Sequence, residues 1–103
     1  MLNSFEEDKR TVVWRTQDIP SRWPIWDGGC ENGTYVDIRI IKSERMKMAR
    51  YIVERYVLQG EYGCNHWAEW FSTGRKASGS HKDRLALATT MDKVESYIEG
   101  RIR

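Results

Sequence analysis

The stretch Ser43-Glu44-Arg45-Met46-Lys47-Met48-Ala49-Arg50-Tyr51-Ile52-Val53-Glu54-Arg55-Tyr56-Val57-Leu58-Gln59 carries the strongest periodic signal in the chain, and its reading decides the fold. Met48, Ala49, Ile52, Val53, Tyr56 and Val57 recur at three- and four-residue spacing, as the buried stripe of a helix does. Lys47, Arg50 and Glu54 fall opposite them. Ser43 is placed as an N-cap, and Glu44 sits where a carboxylate favours the helix dipole. Gly60 follows as a natural stop. The spacing predicts a helix over 43–59.

On the N-terminal side, Tyr35 to Ile41 alternates as a strand, with Val36, Ile38 and Ile40 on one face. Thr11-Val12-Val13-Trp14-Arg15-Thr16 is β-branched and aromatic, a second strand. Gln17 to Gly33 holds both prolines and three glycines and reads as a long ordered loop. On the C-terminal side, His66 to Thr73 fits a strand with Trp67, Glu69 and Phe71 on one face and His66, Ala68 and Trp70 on the other. A helix capped by Asn65 is the alternative; aromatic content favours the strand. Arg84 to Ala88 reads as a short strand. Thr89-Thr90-Met91-Asp92 then reads as a capping box opening a helix through Glu99, with Met91, Val94 and Ile98 inward. A single helix from Ser80 onward competes with that pair.

The resulting order is ββα-ββα: an α+β fold with one largely antiparallel sheet and two helices packed on one face. Residues 1–10 are expected to be a flexible tail and 11–103 a single domain. The two halves can be overlaid at a fixed offset, matching Asp37 with Asp83, Lys47 with Lys93, and Tyr51, Ile52 and Arg55 with Tyr97, Ile98 and Arg101. These identities only suggest a duplication.

A chain of 103 residues with 40% hydrophobic and 31% charged residues suits one globular core and argues against disorder. The net charge of +2 is spread evenly, with no global excess of the kind duplex-DNA binders show. Any nucleic-acid role must rest on a local patch. The polar, acidic start and the lack of a long apolar run lead to the expectation of a cytoplasmic protein with no membrane contact. Cys30 and Cys64 are then expected to be free thiols.

Two segments stand out as candidate sites. In Ile19-Pro20-Ser21-Arg22-Trp23-Pro24-Ile25-Trp26, proline stiffens a loop carrying two tryptophans, the commonest hot-spot residue. The functional reading is a preorganised protein-binding surface of Arg22, Trp23, Ile25 and Trp26 together with the adjacent sheet face. The plain reading is a lid that completes a small core. In Gly74-Arg75-Lys76-Ala77-Ser78-Gly79-Ser80-His81-Lys82-Asp83-Arg84, five basic or potentially basic side chains share a Gly/Ser-rich stretch with one acid. Arg75, Lys76, His81, Lys82 and Arg84, directly after Trp67, Trp70 and Phe71, give the charge and stacking surfaces used to hold single strands or RNA, with Trp67 or Trp70 stacking. The plain reading is a solvated loop beside core aromatics.

Other chemistry is weaker. Cys64, His66, Cys30 and His81 lack the paired spacing of a zinc site, and nothing orients His66 as a base for Cys64. Asp27 with Glu31 and Asp37 with Glu44 lack a nuclease context. Arg75-Lys76-Ala77-Ser78 resembles a basic-directed kinase site. No catalytic set, metal or cofactor is expected. The leading expectation is a non-enzymatic protein-binding accessory or inhibitor of phage or mobile-element type, with homodimerisation open. The alternative is a single-stranded nucleic-acid module.

Overall fold

The computed structural model describes residues 8–18, 25–26, 35–57 and 66–100, with backbone alone for Ile25, Trp26, Tyr35, Val36 and Val57. The elements run β1 (Lys9–Arg15), a 3-10 turn (Thr16–Asp18), β2 (Ile25–Trp26), β3 (Tyr35–Val36), β4 (Ile38–Arg45), β5 (Met48–Val57), β6 (His66–Ser72), β7 (Lys76–Ala77) and α1 (His81–Glu99). The main sheet has the order β1-β4-β5-β6, with β7 also paired to β5; β2 and β3 form a separate two-stranded ribbon. Every pairing is antiparallel. The fold is α+β, with one helix among the described residues rather than two.

The predicted helix over 43–59 is a β-hairpin. Arg45 pairs with Met48 across a two-residue turn, and Met46 and Lys47 both adopt positive φ, 52° and 64°. That is the type I′ geometry whose twist matches flanking strands. The helical spacing is explained by burial on both faces. Ala49, Tyr51 and Val53 face the helix side, while Ile52 is buried on the other side at 3% exposure. A central strand buried on both faces reads as a nearly continuous apolar run. β-branched and aromatic residues at 51–53 and 56–57 then favour the extended chain. Ser43 caps nothing: it is fully buried in β4, and its hydroxyl donates to Asp8 Oδ2 at 2.9 Å.

The predicted strand at 84–88 and the capping box at 89–92 are both interior to α1. Leu85, Ala86, Leu87 and Ala88 are good helix formers without β-branching. Ser80 is the N-cap, accepting from the Asp83 amide. Thr90 sits mid-helix, its hydroxyl donating to the Ala86 carbonyl at 2.8 Å. The overlay of the two halves therefore matches strand residues Tyr51 and Ile52 with helical Tyr97 and Ile98, so the halves share no structure.

The expected strand at His66–Thr73 is present as β6. β1 begins at Lys9, inside the segment read as a tail. A bulge opposite Val53/Glu54 turns Trp70 and Phe71 to the same face, where a regular strand would alternate them. The core lies between that face and α1. Ile38, Ile40, Tyr51, Val53, Val94 and Ile98 are buried there, with Trp14, Trp70, Phe71, Ala86, Leu87, Met91 and Tyr97 packed around them. Among the described residues no helix is long and apolar enough to cross a membrane.

Candidate functional site

β6 and β7 together form one interrupted edge along β5, and Thr73 bridges the interruption. Its amide donates to the Tyr51 carbonyl at 2.9 Å, and its hydroxyl accepts from the Tyr51 amide at 2.9 Å. The chain therefore stays against the sheet until β7, and the Gly79–Ser80 turn launches α1 back across the same face.

Where this edge meets the first three turns of α1, a cleft of about 500 Å³ opens. Phe71, Leu85 and Ala86 make its apolar part, and Ser72, Thr73, Thr89 and Thr90 bring hydroxyls. Lys76, Lys82 and Lys93 stand on its rim, all exposed. Among the described residues none of the three forms an ion pair. Lys93 holds its ammonium 5.0 Å from the centroid of the Phe71 ring. The described lining contains no carboxylate, histidine or cysteine. The volume lies in the range of small-molecule and nucleotide pockets.

A charged latch fixes the helix end that carries Lys82. Asp83 is 2% exposed and accepts from the Gly79 amide at 3.0 Å and from Lys42 Nζ at 3.2 Å. Burial alone would raise the Asp83 carboxyl. The Gly79 amide, Tyr51 and Lys42 outweigh it and hold the group below the ordinary carboxylate range. Burial likewise opposes the Lys42 charge, yet Asp83 and the neighbouring Tyr51 and Glu44 leave its pKa above the usual lysine value. Burial and Asp83 together raise the Tyr51 hydroxyl. Asp83 Oδ1 has no hydrogen-bond partner among the described residues.

The residues singled out from the basic stretch divide among several places. Lys76 and Lys82 meet at the cleft. Arg75 points to the opposite sheet face, 3.8 Å from Asp8 Oδ2, and lines a second cleft of about 210 Å³ with Arg45, Met46 and Met48. Arg84 donates back to the Gly79 carbonyl at 3.1 Å, and His81 is exposed at the first position of α1. Trp70 packs against Tyr97, with ring centroids 4.4 Å apart. Trp67 lies on the face away from α1, beneath the Arg39 guanidinium at 4.0 Å and the Arg15 guanidinium at 5.5 Å. The expected platform of Trp67 and Trp70 is therefore not assembled; Phe71 supplies the cleft's aromatic surface. Phe71 stands among the aromatics that precede the basic stretch, but regular alternation assigns it the face that the bulge reverses; sequence reasoning missed Lys93, which lies seventeen positions beyond Lys76.

The serine of the kinase-like motif, Ser78, donates to Glu44 Oε2 at 2.8 Å. Asp37 does not meet Glu44: it binds Arg15 Nε at 2.9 Å and, being 3% exposed, has its carboxyl raised by burial despite that cation. His66 opens β6. Arg22, Trp23, Asp27, Cys30, Glu31 and Cys64 lie outside the described residues, and Ile25 and Trp26 are described as the backbone of β2. In comparisons with known proteins, the chain matches no family model, no curated protein and no solved structure.

Proposed function

We propose that this chain is a non-enzymatic binding domain that holds a single-stranded nucleic acid in the cleft between the β6–β7 edge and α1. One observation carries the reading: three lysines without ion-pair partners among the described residues ring a cleft floored by an aromatic side chain. Single strands are bound through this combination of neutralised phosphates and stacked bases. Eleven residues of helix separate Lys82 from Lys93, so their Cα atoms stand roughly 16 Å apart at about 1.5 Å per residue. That distance spans several phosphates of a single strand. The hydroxyls of Ser72, Thr73 and Thr89 supply further hydrogen bonds to phosphate and sugar. A base entering the cleft takes the place of Lys93 over Phe71. Stacking contributes about 1–3 kcal/mol, more than the roughly 0.5–1 kcal/mol of an exposed cation–π contact, so the exchange favours binding.

The test is a titration of labelled single-stranded oligonucleotide at two salt concentrations. Three phosphate contacts give a log–log salt slope of about −2, or roughly a twentyfold weakening between about 50 and 200 mM salt. Replacing Lys76, Lys82 and Lys93 together with alanine flattens that slope. An affinity that ignores both salt and the triple substitution rejects the cleft.

A second reading is a protein-contact domain, an accessory or inhibitor acting in the cytoplasm through Arg22, Trp23, Ile25 and Trp26. Its support is that β2 pairs with β3, Ile25 opposite Val36 and Trp26 opposite Tyr35, in a ribbon separate from the main sheet. Trp23→Ala and Trp26→Ala variants that keep every bound partner would reject it.

A further inference from the structure

We propose that the tip of the β4–β5 hairpin is a second contact for the same strand, reached by crossing the β7 edge. The proposal rests on the single-strand reading above. Arg75 and Lys76 are neighbours in the chain yet face opposite ways. Lys76 pairs with Ala49 on the helix face and rims the large cleft, while Arg75 lines the smaller cleft with Arg45, Met46 and Met48. A strand passing Lys76 therefore reaches Arg75 by crossing the β7 edge from one face to the other.

The tip has a chemistry the fold does not require. Met46 and Lys47 hold φ of 52° and 64°, a left-handed conformation that side chains with a Cβ resist and that Asn-Gly adopts without strain. Met46 is 69% exposed and Met48 38%, so both side chains are open to a partner. The end of the hairpin is fixed from the other side, where the Ser78 amide donates to the Lys47 carbonyl at 2.8 Å. A rigid turn thus presents flexible, polarizable apolar side chains between the cations Arg45, Lys47 and Arg75. Methionine of this kind adapts to flat apolar surfaces such as a sugar or base face, and the guanidinium groups match phosphate oxygens in bidentate geometry. Among the described residues Arg75 pairs with Asp8 at 3.8 Å, with both side chains about a third exposed, and such pairs yield to a competing anion. Two methionines cover one base and offer too little apolar area to anchor the chain in a bilayer.

The experiment uses the full chain and labelled deoxyoligonucleotides of about five and about ten nucleotides, within the usual site sizes for single strands. The longer strand is expected to bind about tenfold tighter, with a salt slope steeper by about 1.4 for two added phosphate contacts. In an Arg45→Ala/Arg75→Ala variant the longer strand falls to the affinity of the shorter. A Met46→Asn/Lys47→Gly variant loses the same advantage while its melting temperature rises, which separates lost contact from lost fold. A length advantage that survives both variants, or no advantage in the wild type, overturns the tip alone. Failure of both strands to bind overturns the cleft and the tip together. Vesicles of phosphatidylserine, or a polyglutamate peptide, retained by the wild type and lost on Met46→Asn/Lys47→Gly would reassign the tip and overturn the proposal.

Discussion

The two faces of the main sheet are built from the same strands by different physics. On the face under α1, Ile38, Ile40 and Val53 are fully buried against Val94 and Ile98, and a charged group sealed there, Asp83, is held by Lys42 and the Gly79 amide. On the other face, arginines alternate with carboxylates. Glu54 takes Arg39 at 2.8 Å and Arg10 at 3.7 Å, Arg15 takes Asp37 at 2.9 Å, and two of these guanidinium groups lie over Trp67. Yet Ile41 and Ile52, paired in the middle of that face, are 4% and 3% exposed. Among the described residues, one face sets apolar side chains against a helix and the other sets cations against carboxylates, although the central strands are buried on both.

The contrast breaks or holds first on the isoleucines. Ile40→Ala is expected to cost about 3–4 kcal/mol and Ile41→Ala about 2 kcal/mol by urea unfolding, because the neighbours of Ile41 can relax into the space. Equal losses would make the open face a second core.

The latch comes next. Asp83→Ala leaves Lys42 without its buried partner and removes a helix-capping contact, at an expected cost of about 2–4 kcal/mol. The sign with pH follows from the directions of shift. The lowered Asp83 carboxyl stabilises the fold above the unfolded value of about 4, and that contribution is lost as pH falls through its lower folded value. The raised Lys42 and Tyr51 contribute below about pH 10 and lose their effect as pH rises beyond it. Asp37, beside the open face, has the opposite sign to Asp83. Its raised carboxyl opposes folding where ionised, so mild acidification first relieves that face. Thermal unfolding across pH in wild type and Asp83→Asn checks this: the variant should lack the acid loss and the Lys42 part of the alkaline loss, and keep the part that burial of Tyr51 causes.

At the hairpin end, Met46→Asn/Lys47→Gly should stabilise by about 1–2 kcal/mol by relieving left-handed strain. The smallest effect belongs to the open face. Glu54→Gln should cost about 0.5–1 kcal/mol and fade as salt is raised, since its partners reach solvent. A loss near that of the latch would show that the arginine network is desolvated as strongly as Asp83.

Much of this was legible in the residues, and the errors have physical causes. β1, the strand from Ile38 and β6 follow from β-branched and aromatic alternation, and Ser80 was visible as one possible helix start. The hairpin at 46–47 was hidden, because a type I′ turn without Asn or Gly carries no turn signal. Arg84–Ala88 misled because a short apolar run fits either period. Of the cleft, Lys76 and Lys82 could be read from the basic stretch, since local charge density survives folding. Phe71 could be read as an aromatic beside that stretch but its face could not, and Lys93 could not be read at all.

The sequence by itself determined a single α+β chain, its antiparallel strands and the basic character of residues 75–84, because propensity and charge are local properties. Tertiary structure decided that residues 43–57 extend rather than coil, since only a partner on each side and burial on each face make both periods of that segment useful. It also decided which lysines share a cleft, because a bulge at Trp70 and the return path of α1 are set by packing between elements distant in the chain.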